Sequence, residues 1–170
     1  MNRVVEKIVQ RARQAPKRIV LPESDDPRVL HAAEKIVKEG YGEVVLLGNP
    51  DKVSSIAKAE GVNLGGIEII DHLNNPHREQ CVQSLYEKRK DKGLTIDGAN
   101  ELLNHPVYYA GAMVGAGLAD GMVAGSICPT RDTVRSAIFG VGLAEGNKTV
   151  SACSIMVTIC LLYTSPSPRD

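Results

Sequence analysis

The chain carries no excess of either charge: among its 170 residues Lys plus Arg and Asp plus Glu both number 20. A nucleic-acid or membrane-surface protein needs a basic surplus to neutralise phosphates, so neither partner is expected. No apolar run approaches the roughly 20 residues of a membrane span. The opening segment, MNRVVEKIVQRARQ, alternates charged with apolar residues and lacks the apolar centre of a secretory signal. Cys81, Cys128, Cys153 and Cys160 show neither C-x-x-C spacing nor a disulfide framework, which points to a reducing, cytoplasmic setting. His31, His72, His77 and His105 lack metal-ligand spacing, so no metal is expected. There is no G-x-S-x-G and no visible Ser/His/Asp arrangement. V-G-A-G-L-A-D at residues 114–120 imitates part of a dinucleotide fingerprint. It follows a helical segment and lacks the third glycine, so it reads as small-residue helix packing. Cys128, near a helix start, reads as a small buried thiol rather than an activated nucleophile.

What is present is an alternation of strand and helix signals. Asn2 can cap a first helix with Val5, Ile8, Val9 and Ala12 on one face, ended by Pro16. Residues 19–21 form a short strand with the exit loop PESDD. Asp26 as N-cap and Pro27 at the first helical position open a helix whose stripe is Val29, Ala32, Ala33, Ile36 and Val37, stopped by Gly40. Residues 44–47 form a second strand. Asp51 starts a helix with Val53, Ile56 and Ala57, and residues 67–70 form a third strand. Asn75 and Pro76 open a helix with Val82, Leu85 and Tyr86, closed by Gly93. Residues 98–104 and 107–118 are further helices, and a last strand is expected near residues 150–157. This order predicts an α/β fold, a mostly parallel sheet with helices on both faces and ligands at the carboxyl ends of its strands. Two exit loops qualify, PESDDPR and GSICPTRD.

The chain is organised around residues 120–140, DGMVAGSICPTRDTVRSAIFG. Met122 to Ala124 reads as a buried strand. A small polar turn follows, then a helix with Val134, Ala137, Ile138 and Val141 as its apolar positions. Strand, turn and helix start together present backbone N–H groups to an anion, with Thr130 as N-cap. Arg131 and Arg135 oppose the dipole of that helix. Either Asp132 neutralises them or an anionic ligand does. Arg28 lies in the first turn of its helix, where Asp25 or Asp26 could pair with it. Arg89 shares the stripe of Val82 and Tyr86, where a snorkelling stem would also place it. Three arginines near strand exits or on inward faces point to a phosphate or carboxylate ligand, because the guanidinium fork matches those oxyanions.

RIVLPESDDPRVLHAAEKIVKEGYGEVVLLGNP, LYEKRKDKG and GLADGMVAGSICPTRDTVRSAIFGVG, in that order, resemble the N-terminal half of the phosphate acetyl/butyryl transferase family. The resemblance covers nearly all of residues 1–157. It implies the first, incomplete domain of a two-domain, isocitrate-dehydrogenase-like enzyme with its active site in the interdomain cleft. It implies interconversion of acetyl-CoA plus phosphate with CoA plus acetyl phosphate, with coenzyme A as a substrate and no cofactor, in a homodimer when full length. Carried over by motif, Arg135 is the catalytic arginine beside the phosphate and thioester. Arg28 and Arg89 match arginines that bind CoA, and Ser126, Thr130 and Thr133 match the hydroxyl residues of the pocket. Cys128 and Pro129 stand where family members usually have Ser, Thr or His. The family's catalytic aspartate and its Ser-Arg partner come from the C-terminal half. Butyryl transfer, a non-catalytic CoA- or acyl-phosphate-binding module, fusion to another enzyme and a dehydrogenase on the related fold are the competing readings.

CLLYTSPSPRD, residues 160–170, shares nothing with the preceding pattern and has three successive turn-forming pairs. It matches the in-frame translation of a common transposase sequencing adapter and is read as a scar. The expectation is therefore an N-terminal fragment whose native sequence stops near residues 157–159.

Overall fold

In a computed structural model the described residues are 3–151. Four strands, β1 (Arg18–Leu21), β2 (Glu43–Leu47), β3 (Glu68–Ile70) and β4 (Gly121–Met122), form one parallel sheet in the order β3-β2-β1-β4. Arg18 pairs with Glu43 and Leu21 with Leu46 across the β1–β2 ladder, and Val20 pairs with Met122 across β1–β4. The chain walks outward from β1 through β2 to β3, then returns to place β4 on the other side of β1. The order therefore reverses between β1 and β4, and their carboxyl ends are the switch point where open α/β sheets hold ligands. The loops leaving those two strands are the two that the sequence singles out.

Alternation along the strands assigns the two faces. Leu21, Val44 and Leu46 point to one layer with Leu30, Ala33, Val53 and Ala57. These come from α2 (Pro27–Lys38) and α3 (Pro50–Glu60). Val20, Val45 and Leu47 point to the other layer with Cys81, Leu85, Leu103 and Tyr109. That layer is built on α4 (Arg78–Arg89), α5 (Ile96–Leu102) and α6 (Pro106–Gly115). Both faces of the sheet are covered, which is why these strands read as continuous apolar runs. In α2 the inward face holds Leu30 rather than Ala32, which is exposed.

Three helices start by one device, a polar cap followed by proline. Asp26 accepts from Arg28 N, Asn49 from Asp51 N and Lys52 N, and His105 from Val107 N, with Pro27, Pro50 and Pro106 next in line. The caps satisfy orphan first-turn donors, and proline has no N–H to lose there. The cap of α3 is thus Asn49, two residues before the expected start at Asp51. Gly40, at φ +66°, ends α2 in the left-handed conformation expected of it. The first helix, α1 (Arg3–Gln14), buries none of its residues, and Ile8 on its apolar side is 46% exposed. A fully buried Val or Leu contributes about 1.5–3 kcal/mol, so α1 adds little to the core. Its carboxyl end is tied to α2 by Arg13, whose Nη2 donates to Glu39 Oε2 at 3.0 Å.

The last helix, α7 (Thr130–Gly140), packs differently from expectation. Its inward positions are Ser136 and Gly140, whereas Val134 and Val141 are exposed. The reason is how closely it crosses α6. An added Cβ on Gly111 of α6 would meet Ser136 Oγ at 2.5 Å, and one on Gly115 would meet Gly140 O at 1.9 Å. Backbones this close admit only small side chains, so Gly111 and Gly115 serve helix packing; of the 114–120 segment read that way, Gly115 is at the crossing and Gly117 has open space beside it. Ser136 Oγ donates to Val107 O at 2.6 Å, which satisfies the one hydroxyl buried there. Lys88 Nζ, on α4, donates to Gly115 O at 2.8 Å and Gly140 O at 2.6 Å, joining the negative ends of α6 and α7. Burial lowers its pKa. Val150 and Ser151 are not strand, and the rest of the last expected strand lies outside the described residues, as do Asn2 and the reading of residues 160–170.

Candidate active site

The turn after β4 is where backbone N–H groups converge, and it already holds an anion. Glu23, in the β1 exit loop, is 8% exposed. Its Oε2 accepts from Gly125 N at 2.7 Å and Ser126 N at 2.9 Å, and its Oε1 from Ile127 N at 2.7 Å and Cys128 N at 2.5 Å. Gly125 has φ +107°, a conformation that favours glycine. Burial alone would raise the pKa of Glu23, and the four N–H donors outweigh it, leaving the carboxyl below its ordinary value. The expectation that these N–H groups stand ready for a substrate anion is corrected: a side chain about a hundred residues upstream occupies them. The exit loop signalled its place in the site, but not this partner.

Beside that turn Asp26 and Arg28 are locked together. Arg28 Nε lies 3.1 and 3.0 Å from the two carboxylate oxygens of Asp26, and Nη2 lies 2.6 Å from Oδ2. Arg28 Nη2 also donates to Ser126 O at 3.2 Å and to Ser126 Oγ at 3.1 Å, and Ser126 Oγ donates to Asp26. Arg28 and Ser126 therefore meet, and both line a cavity of about 290 Å³ between the ends of β1 and β4. Arg28 is not a free cation: Asp26 is its partner, while Asp25 pairs with Lys52 at 2.6 Å. Hydrogen bonds from Arg28 and then Ser126 hold the Asp26 carboxyl far below the usual range.

A second group forms around Phe139. The Arg89 guanidinium lies 3.9 Å from the centre of its ring and that of Arg135 lies 4.9 Å from it. Arg135 is on the same helix face as Phe139, one turn earlier. Among the described residues neither arginine has a carboxylate within 4 Å. Asp132, the candidate counter-ion on α7, instead accepts from Tyr108 Oη at 3.3 Å. Two cations held against one ring repel each other, and the ring quadrupole returns only about 0.5–1 kcal/mol for an exposed cation such as Arg135. Neither guanidinium charge is neutralised by a carboxylate of the described residues. The sequence pattern identified both arginines but had no means of pairing them, since Phe139 carries no charge.

The hydroxyls divide. Thr130 is the first residue of α7 and exposed, and the cap position belongs to Pro129, which offers no side-chain bond. Thr130 is therefore not the N-cap, because Pro129 already sits at the extended position that precedes the helix. Thr133 is half-buried and donates to Pro129 O at 3.4 Å. Burial pushes the Cys128 thiol up, away from thiolate character. A larger cavity, about 470 Å³, opens at the ends of β1, β2 and β3. It is bordered by Glu23, Asp25, Lys52, His72 and His105 and by none of the three arginines. His72 Nε2 lies 3.0 Å from Asn104 O, and burial lowers its pKa.

The carboxylates of this site predict an acid limb. Both Glu23 and Asp26 have pKa values lowered by folding. The unfolded chain then binds more protons, so their stabilisation is complete above the ordinary carboxylate pKa of about 4 and is lost progressively as the pH falls through the folded values. Urea unfolding between neutral and acid pH should show this fall, and Asp26→Asn should flatten part of it. An unchanged slope in the variant would show that Asp26 is not held low.

The family profile described as "Phosphate acetyl/butaryl transferase" matches residues 3–164. A phosphate acetyltransferase of Acetivibrio thermocellus is 44% identical over 153 residues, which cover 90% of this chain and 46% of that protein. The solved EutD phosphotransacetylase from Staphylococcus aureus superposes with a TM-score of 0.79 at 34% identity, over 86% of this chain and 44% of that one. A phosphotransacetylase from Streptococcus pyogenes gives a TM-score of 0.81 at 29% identity, over 88% of this chain and 46% of its own. The chain spans about half the length of these relatives.

Proposed function

The chain belongs to the phosphate acetyl/butyryl transferase family, and from that premise we propose that it supplies one wall of an active site that moves an acetyl group between coenzyme A and phosphate. The observation that carries this reading is the pair of guanidinium groups, Arg89 and Arg135, set against Phe139 with no protein counter-ion among the described residues. Both substrates are polyanions, and guanidinium groups bind phosphoryl oxygens in bidentate fashion. The names of the relatives favour acetyl over butyryl.

In the proposed reaction a phosphate oxygen attacks the thioester carbonyl. A C–O bond forms, the C–S bond breaks, and CoA leaves as a thiolate. Arg135 stabilises the negative charge that develops on the carbonyl oxygen and phosphate. Arg89 and Arg28 hold phosphates of CoA, and Ser126, Thr130 and Thr133 line the pocket. Arg28 reaches a ligand without leaving Asp26, since its side chain is 76% exposed. Holding two substrates in line removes up to roughly 7–11 kcal/mol of barrier in well-oriented cases. In the reverse direction the thiol proton goes to a carboxylate, which the family resemblance assigns to the C-terminal half. Homodimeric assembly and a cytoplasmic setting belong to the same proposal, the first resting on that resemblance and the second on the cysteine spacing. The described residues themselves contain no helix long and apolar enough to cross a membrane.

The test is phosphate-dependent CoA release from acetyl-CoA, followed with a thiol reagent, in a polypeptide that continues this chain through the C-terminal half of a phosphate acetyltransferase. Release with acetyl-CoA that stops when phosphate is withheld is expected. Preference for butyryl-CoA would shift the substrate, and release that ignores phosphate would overturn the reading.

A further inference from the structure

Four consecutive N–H groups, Gly125 to Cys128, point into one concavity, and Glu23 closes it with two oxygens that each take two donors. A row of convergent N–H groups of this kind is an anion-binding nest. Here the anion is part of the protein. It comes from the exit loop of β1, the nest from the exit loop of β4, and the two strands are neighbours. Glu23 therefore bridges the switch point. Its reach goes further in both directions. Ser126, whose N–H it accepts, turns its Oγ to Asp26 and its carbonyl to Arg28. Cys128, the last donor, is followed by Pro129 and the first residue of α7, the helix that carries Arg135.

We propose that Glu23 is a positioning residue: it is the resident anion of the 125–128 turn, it fixes the origin of α7 and so the placement of Arg135, and it keeps those N–H groups from any exogenous phosphate. The consequence for Arg135 rests on the acyl-transfer reading, whereas the occupied nest does not. On this assignment the substrate's charge is met by guanidinium groups and not by the turn's backbone.

The experiment uses the 170-residue chain. Glu23→Ala removes the carboxylate and leaves a space of carboxylate size against four donors. Its thermal unfolding is measured in chloride and in formate at equal ionic strength. The variant should unfold at a lower temperature than the parent in chloride and recover part of that loss in formate, while the parent responds equally to both salts. Simple loss of packing would not be repaired by a small carboxylate. An equal response of variant and parent to formate would overturn the proposal. If Glu23→Ala does not fold, Glu23→Gln, which keeps the size and removes the charge, is compared with the parent by hydrogen exchange of the 125–128 amides. Exchange faster by on the order of tenfold or more, confined to that turn, is expected. Equal exchange in the two proteins would overturn the assignment. Neither readout involves turnover, so failure here is distinct from failure of the acetyl-CoA assay.

Discussion

Alanine at Gly140 is expected to break the crossing of α6 and α7. The added Cβ would lie 2.2 Å from Gly111 C, 2.3 Å from Gly111 O and 2.7 Å from Ala112 N. All three are backbone atoms in the middle of a buried helix, so no side chain can turn aside to make room. The helices must separate, and separation costs α6 its packing over Val107 to Met113 and Lys88 its two carbonyl acceptors. Overpacking of a well-filled core costs about 1–3 kcal/mol and sometimes more. A backbone obstacle belongs at or above the top of that range, roughly 3 kcal/mol or more. That is a large share of the 5–15 kcal/mol that holds a typical domain together. Gly98→Ala is the control. Its Cβ would meet Thr95 Oγ1 at 3.1 Å and Leu94 Cδ1 at 3.5 Å, with no backbone within reach. It should unfold within about 1 kcal/mol of the parent, since helical alanine offsets a mild contact. Urea unfolding of the two variants checks the pair, and equal stability would show that α6 and α7 are free to move apart.

Arg135→Ala is expected to lower kcat/KM for phosphate-dependent CoA release by at least about a hundredfold in the chain completed by its C-terminal half. Removing one oxyanion-stabilising group typically costs 10²–10³ in rate, and a hundredfold corresponds to about 2.7 kcal/mol of transition-state stabilisation. Stability should barely move. Arg135 is exposed, and its recorded contact is with the Phe139 ring. A cation over a ring at such a site is worth about 0.5–1 kcal/mol. The combination separates a catalytic loss from a folding loss. Arg135→Lys should recover little, because an ammonium is a point charge and does not offer the planar fork. Near-normal turnover in Arg135→Ala would remove the residue from the mechanism.

These two residues sit five positions apart on one helix, yet they were unequally legible. Arg135 stood out because a cation near a helix start is locally unfavourable. Gly140 did not, because its importance lies in what approaches it from α6. The same division runs through the fold. The caps and prolines at Asp26-Pro27 and Asn49-Pro50, the alternating residues of β1 and β2, and the stop at Gly40 act within a few residues of themselves. Chain order alone locates most of the helices and strands, with end errors of up to about three positions, as where the helix expected over 107–118 ends at Gly115 and the strand expected over 122–124 is Gly121–Met122.

The strand order in the sheet, the crossing at Gly111 and Gly140, the two arginines on Phe139 and the carboxylate of Glu23 in the 125–128 turn came only with the tertiary structure. Each joins groups that are distant in sequence, and a local rule has no term for a distant partner. Glu23 illustrates why. In the sequence it is one acid of an acidic loop, and the turn after β4 is a set of free donors. Sheet pairing brings β1 beside β4, and electrostatics then makes the nearest buried carboxylate the turn's ligand. The amino-acid order settled which chemistry was available at the strand ends, while three-dimensional proximity settled which of those groups the protein pairs with one another.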